Sequence, residues 1–191
     1  IPLDAGFYLN GALSWGQYTY DSNPNYVQIQ DNSGEIKNEG KVYWKNFRVE
    51  STPQKAMNIG LSYRGPKNIY ASLDLNYYSN MYISMSPLYR TDAVLTPGMT
   101  KEDVAELRSQ EKFNSAYVVN ASIGKNWFIK RQYTLGFSLE MKNLQDIKTG
   151  GYEQVRLLKN KDTSYQTYQP FDSKYFYMFG STYYLNLYFR F

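Results

Sequence analysis

The sequence predicts an all-β fold made of long antiparallel strands that cross a bilayer as part of a barrel. Three observations carry that expectation. Stretches in which apolar and polar residues alternate recur at 6–20, 55–63, 69–82, 116–129, 134–144 and 176–191. Alternation with a period of two sends one set of side chains to each face of a strand. Second, most of these stretches exceed the usual soluble strand of about 5–6 residues. They reach the about 9–11 residues that a tilted strand needs to cross a bilayer. Third, the connections have a rhythm. Tight ones at 64–68 and 130–133 alternate with long ones at 21–54, 83–114 and 145–175. Such loops are uncommon in compact soluble domains, whose median is about 4–6 residues. Short turns at one end and long loops at the other mark a membrane barrel.

Bulk properties narrow the chemistry. A chain of 191 residues holds one domain with a sizeable core. Its 21 tyrosines and 18% aromatic content fit a membrane–water interface, where one end of the ring is apolar and the other wet. They equally fit a glycan- or peptide-binding surface. The mean hydropathy of −0.60 is as polar as a soluble protein's. A barrel tolerates this, because only alternate strand residues face lipid and its loops are polar. No run of about 18 apolar residues occurs, so no transmembrane helix is expected. No charged, apolar and small-residue leader opens the sequence, as in a mature secreted chain or an excised fragment. There is no cysteine and no histidine. Disulfides, thiolate chemistry, the commonest general base and the commonest metal ligand are therefore excluded. The 21 basic and 17 acidic residues are spread along the chain without a dense basic stripe, so nucleic acid is not an expected partner.

In the first strand Phe7, Leu9, Gly11, Leu13 and Trp15 oppose Tyr8, Asn10, Ala12, Ser14 and Gly16, with Tyr18 and Tyr20 at its end. The long connection that follows has turn chemistry at 21–24 and 31–34 and room for a short hairpin arm at 27–30. Met57, Ile59, Leu61 and Tyr63 face away from Asn58, Gly60 and Ser62 in the second strand. The third is the most regular: Ile69, Ala71, Leu73, Leu75, Tyr77 and Met81 against Tyr70, Ser72, Asp74, Asn76, Tyr78 and Asn80. In the second long connection Thr100 and Asp103 form a capping box, with Asp in the usual place of Glu or Gln, before two or three turns of mostly polar helix over 104–110. Tyr117, Val119, Ala121, Ile123, Trp127 and Ile129 make the apolar face of the fourth strand, and Leu135, Phe137, Leu139 and Met141 that of the fifth. Gly150, Gly151 and Pro170 read as breakers in the third long connection. The last strand, 176–191, puts Tyr183, Leu185, Leu187, Phe189 and Phe191 opposite Tyr184, Asn186, Tyr188 and Arg190. A terminal aromatic on an amphipathic last strand resembles the assembly signal of bacterial outer-membrane barrels, here Phe189 and Phe191.

Six strands do not close a barrel, whose smallest outer-membrane form has about 8. An open edge in lipid leaves backbone groups unpaired. The chain is therefore expected to be part of a larger barrel, or one of several copies that together assemble one. The short-turn end, with Ile1, Gly65 and Phe191, is expected to face the periplasm and the three long loops the outside. Asp74, Glu140, Lys142, Tyr188 and Arg190 fall on the polar face, where a wet lumen or a polar plug receives them. Tyr152, Glu153, Arg156, Tyr165 and Tyr168 cluster in the third long loop, where stacking and hydrogen bonds suit a ligand. No catalytic constellation, phosphate loop, calcium loop or metal cluster is legible, so no enzyme activity and no cofactor are expected.

Several short stretches resemble the C-terminal third of TonB-dependent outer-membrane receptors. They are Lys-Asn-Leu-Gln-Asp at 142–146, a long loop, and a last strand ending in Phe191. Gly-Gly-Tyr-Glu-Gln-Val-Arg at 150–156 and 174–186 resemble the subgroup of gut-type bacteria, which often carries a carboxypeptidase-regulatory-like domain. Thr-Pro-Gln at 52–54, Asn76 to Tyr82 and Arg90 fit as well. The resemblance runs from about residue 6 to the end. It implies that residues 1–191 are the last six or so strands of a barrel of about 22, with the plug and earlier strands absent. It implies nutrient binding at the cell surface and import to the periplasm. The implied partners are outer-membrane lipid, the rest of the same receptor, the TonB complex acting through the plug, and a surface lipoprotein as a further candidate. The residues alone also admit a secreted all-β module that binds glycans or peptides, and a small self-standing barrel or adhesin in which the 21–54 hairpin completes eight strands.

Overall fold

The computed structural model describes residues 1, 3–50, 52–95, 97–130, 132–143, 147–159 and 166–191, with backbone alone at residue 4 and in 155–159 and 166–170. Ten strands are described: β1 (Phe7–Trp15), β2 (Asn25–Ile29), β3 (Ile36–Lys41), β4 (Lys55–Arg64), β5 (Ile69–Ser79), β6 (Ala116–Ile129), β7 (Tyr133–Lys142), β8 (Lys148–Lys159), β9 (Gln166–Tyr177) and β10 (Thr182–Arg190). One α-helix, α1 (Lys101–Leu107), lies between β5 and β6. No helix among the described residues is long and apolar enough to cross a membrane.

The six expected strands form one open antiparallel sheet in the order β1-β4-β5-β6-β7-β10. Each runs opposite to its neighbour, so the two tight turns leave from one end and the three long connections from the other. Register keeps the two chemistries apart. Leu9, Leu61, Leu73, Ala121, Met141 and Tyr183 sit side by side across all six strands. One residue along, Asn10, Gly60, Asp74 and Asn120 form a polar row. A slip of one residue in any strand would exchange its faces. Hydrogen bonds stitch the polar side: Ser72 to Ser122 at 2.8 Å and Asn58 Nδ2 to Asn76 Oδ1 at 2.9 Å. Here the rings of Tyr70 and Tyr188 lie on Gly124 and Gly136, where a Cβ would collide with them.

The apolar side is open to its surroundings. Leu13 is 73% exposed and Leu187 70%. Aromatic rings border its aliphatic middle at both ends. Phe7 and Tyr63 meet at 4.6 Å and Tyr133 and Phe189 at 5.8 Å near the turns; Tyr77 and Tyr117 meet at 4.8 Å near the loops.

The strands stop where the backbone turns left-handed. Asn80 (φ 55°) ends β5 at Ser79, not at 82, and Asn143 (φ 54°) ends β7 at Lys142, not at 144. β1 stops at Trp15 instead of reaching Tyr20. Tyr18 and Tyr20 instead pair with Val49 and Phe47 across the base of the first long connection. Ile1 and Leu3 fold back through Ala5 (φ 58°) and Gly6 (φ 85°) onto β1, where Leu9 N–H donates to Ile1 O at 2.8 Å and Leu3 N–H to Phe7 O at 2.7 Å.

The expected hairpin arm exists as β2–β3, and the helix as α1, which starts three residues earlier than expected, directly after its cap, and ends at Leu107 instead of 110. Its capping box is complete: Asp103 N–H donates to Thr100 Oγ1 at 3.1 Å and Thr100 N–H to Asp103 Oδ2 at 2.8 Å. The third connection differs most from expectation. It is largely a second hairpin, β8–β9, with Pro170 opposite Val155 inside it. Phe176 and Tyr177 close that hairpin, and the last strand begins at Thr182 instead of 176. In a two-stranded ribbon proline loses no essential ladder bond, because one edge of each strand is unpaired.

Candidate functional site: the loop cap

The buried residues lie mainly in the long connections. Met81, Ile83, Phe113, Ala116, Val118 and Ile147 form one cluster, with Tyr78 and Tyr175 packed against it. Tyr78, Ala116 and Val118 belong to the polar side of the sheet at its loop end. The second and third connections thus fold over the mouth of the polar face.

Arg90 joins all three connections. Its side chain is fully buried. The guanidinium engages both carboxylate oxygens of Glu153, Nη2 to Oε1 at 2.8 Å and Nη1 to Oε2, and donates also to Ser109 O. Its carbonyl accepts Tyr43 N–H at 2.7 Å, and its plane lies 5.6 Å from the Phe47 ring. Burying such a charge is costly unless a counter-charge and hydrogen bonds meet it. Glu153 also accepts Ser86 N–H at 2.9 Å, and Ser84 bonds to Gly151 O and to Glu153 N–H at 3.0 Å each. Thr91, beside Arg90, is fully buried too.

A rim of phenol–carboxylate bonds surrounds this centre. Tyr20 donates to Glu50 at 2.7 Å; burial and that bond push its hydroxyl up to about 12. Tyr43 donates to Asp92 at 2.9 Å and Tyr175 to Glu111 at 2.8 Å, and those bonds raise both pKa values. Burial raises that of Tyr89. Arg108 pairs with Asp92 at 2.9 Å and lies 4.7 Å from the Tyr43 ring. Lys148 Nζ lies 3.6 Å from the Tyr175 ring. Two clefts of about 410 Å³ open in the cap. One is lined by Tyr89, Asp103, Glu106, Glu111, Glu153 and Phe171, the other by Lys112, Asn114, Ser115, Lys148 and Tyr177.

The residues expected from sequence separate here. Tyr152 is exposed on β8, with its ring 5.8 Å from Phe176 and Lys174 Nζ 5.9 Å above it. Glu153 turns the other way, to Arg90. Arg156 and Tyr168 have described backbone only, in β8 and β9, and Tyr165 lies outside the described residues, as do residues 144–146. On the polar face Asp74, Glu140 and Lys142 do converge. They line one depression with Ser72, Asn120 and Ser122, and Lys142 pairs with Glu140 at 3.2 Å. Tyr188 and Arg190 line another nearer the turns, where Tyr188 donates to Asn126. Phe189 lies between Tyr133 and Phe191, and Phe191 is 92% exposed. No cluster of three or more acidic, His or Cys side chains is placed to hold a metal among the described residues.

Sequence reasoning missed Arg90 as a hub, along with Glu111 and Lys148. The local signal at Arg90, a Pro-Leu-Tyr-Arg turn, says nothing of a partner 63 positions on. No family model matches the chain, and no curated protein or solved structure matches it. Fold and site together define an antiparallel β-sheet protein with one bare apolar face and a cap of packed loops at one end.

Proposed function

We propose that the chain is the C-terminal barrel portion of a TonB-dependent outer-membrane receptor, which captures a nutrient at the cell surface and passes it to the periplasm. The observation that carries this reading is the continuous exposed apolar face bordered by aromatic rings. Along β1, from Phe7 to Trp15, the face extends about 27 Å at about 3.4 Å per residue, which is about 21 Å of height at a barrel tilt of about 40°. An outer-membrane barrel carries an apolar band about 25 Å tall between aromatic girdles. The common origin of all three long loops at one end supports the expected orientation, loops outside and turns in the periplasm. The hydrogen bonds between Ile1 and Leu9 occupy the free edge of β1 in the way a neighbouring strand would.

In this reading the loop cap recognises and the sheet is scaffold, with no catalytic step. Tyr152 is the best-placed contact, an exposed ring beside Lys174. Arg156, close by on β8, is its proposed companion. Tyr152→Ala combined with Arg156→Ala in the whole receptor should weaken nutrient capture by intact cells while receptor level stays unchanged. Unaltered capture with normal receptor level removes the assignment of these residues. A receptor that fractionates as a soluble protein removes the membrane reading and favours a secreted binding module.

A further inference from the structure

The sequence spreads its charge evenly, but the fold does not. Arg64, Lys67, Lys125, Lys130 and Arg190 all lie at the turn end of the sheet, and Arg131 belongs to the same turn in sequence. Among the described residues the one acidic residue at that end is Asp4. Six of the 21 basic residues therefore meet one of the 17 acidic ones, and the rest of the chain holds 15 basic against 16 acidic. By sequence those positions supply +5 and the rest of the chain −1, which together make the net charge of +4. None of the five described basic residues there forms an ion pair among the described residues. The four pairs that form are Lys37–Glu35, Arg90–Glu153, Arg108–Asp92 and Lys142–Glu140.

Placement adds to the charge. Lys67 and Lys130 sit at the two tight turns, both at positive φ (59° and 51°), and are exposed. The two turns are neighbours, because β5 pairs with β6. Lys125 is on the apolar face of β6, opposite Ile69 at the foot of the first turn, with Nζ 5.0 Å from the Trp127 ring. A lysine stem can lie along apolar surface while its ammonium reaches for a polar layer. Trp127, Tyr133 and Phe189, ring types that settle at headgroup level, lie on the same face two to four residues nearer the turn than Lys125. Lys130 lies beyond that belt and the Lys125 ammonium reaches up to it beside Trp127, where lipid phosphates are met.

We infer that the turn end is a binding rim for anionic phospholipid, the phosphate held by Lys67, Lys125 and Lys130 and the acyl chains lying on the apolar face beside Trp127. The inference rests on the membrane reading above and adds to it a preference among lipids. Attraction of this kind falls with salt, because exposed charges are screened within about 8–10 Å.

Trp127 is itself the probe. The protein carrying Trp15→Phe and Trp44→Phe is placed in phosphatidylcholine vesicles that contain equal fractions of brominated phosphatidylcholine or brominated phosphatidylglycerol. The phosphatidylglycerol form should quench Trp127 several-fold more strongly at low salt. That preference should vanish at high salt and in the Lys67→Gln, Lys125→Gln, Lys130→Gln variant. A companion protein that keeps only Trp15, at the loop end, should show no preference. Equal quenching of Trp127 by both lipids overturns the rim and leaves the membrane reading standing. A preference of the same size at Trp15 also overturns the rim. Absence of quenching by either lipid overturns both.

Discussion

In the loop cap Ile83, Arg90 and Thr91 are fully buried, while in the sheet Leu13 and Leu187 are 73% and 70% exposed. The cap follows the logic of a domain in water. Met81, Ile83, Phe113 and Ile147 point inward, and the buried Arg90 guanidinium meets a carboxylate. The sheet reverses that logic. Its aliphatic side points outward, and its polar side is knitted together by Ser72–Ser122 and Asn58–Asn76. Burial of apolar area, at roughly 25 cal/mol per Å², therefore stabilises the cap from within the chain. The same term stabilises the sheet only when an apolar medium covers it. One chain thus carries two regions with different requirements, and each can be broken without the other.

The largest effect should come from the cap. Glu153→Ala leaves Arg90 buried without its counter-charge, which costs about 3–5 kcal/mol. Hydrogen exchange in a bilayer should show lost protection around Ser84, Tyr43 and β8, with β4, β5 and β6 unchanged. Protection lost throughout the sheet would mean that the two regions are one cooperative unit.

On the sheet, Leu75→Arg in the middle of the apolar side should cost about 2–4 kcal/mol in a bilayer, and Asn76→Ser on the other face far less. Denaturant titration in vesicles measures both. Equal costs would contradict the assignment of faces.

Thr100→Ala removes one half of the capping box and should cost about 1 kcal/mol, confined to α1. Faster amide exchange in 101–107 alone is the expected sign.

The smallest effect is alkaline. Tyr20 is held at about 12 against an ordinary 10.0, because the folded cap favours its neutral form. Its contribution is therefore whole below pH 10 and lost as pH rises through about 12. Tyrosinate absorbance should show a step near pH 12 from Tyr20, and Glu50→Gln should bring it down toward the ordinary value.

The sheet was legible from sequence because each strand presents different chemistry to its two sides. Leu73 and Leu75 against Asp74 and Asn76 announce a period of two without help from any neighbour. The hairpin β8–β9 hides because a two-stranded ribbon imposes no such alternation. Gly150, Gly151 and Pro170, which would break a central strand, are tolerated in it. The aromatic run from Phe176 to Phe179 then blurred the border between β9 and β10, since rings fill both strands. Glu153 was read as a ligand contact on the strength of its neighbours Tyr152 and Arg156. Adjacent residues on a strand point opposite ways, and Glu153 is the one turned toward Arg90. That pair joins positions too distant for any local pattern to link them.

Site-directed nitroxide labels along β5, from Tyr70 to Tyr78, test most directly whether the bare apolar face meets lipid. The sequence lacks cysteine, so single cysteines can be introduced without a competing thiol in this chain. With the protein reconstituted in vesicles, labels at Ala71, Leu73, Leu75 and Tyr77 should be relaxed by oxygen dissolved in lipid. Labels at Ser72, Asp74 and Asn76 should be relaxed by a water-soluble metal chelate, giving two accessibilities that alternate out of phase with a period of two residues. Equal access of the water-soluble reagent to both sets of positions would contradict the membrane assignment of this sheet.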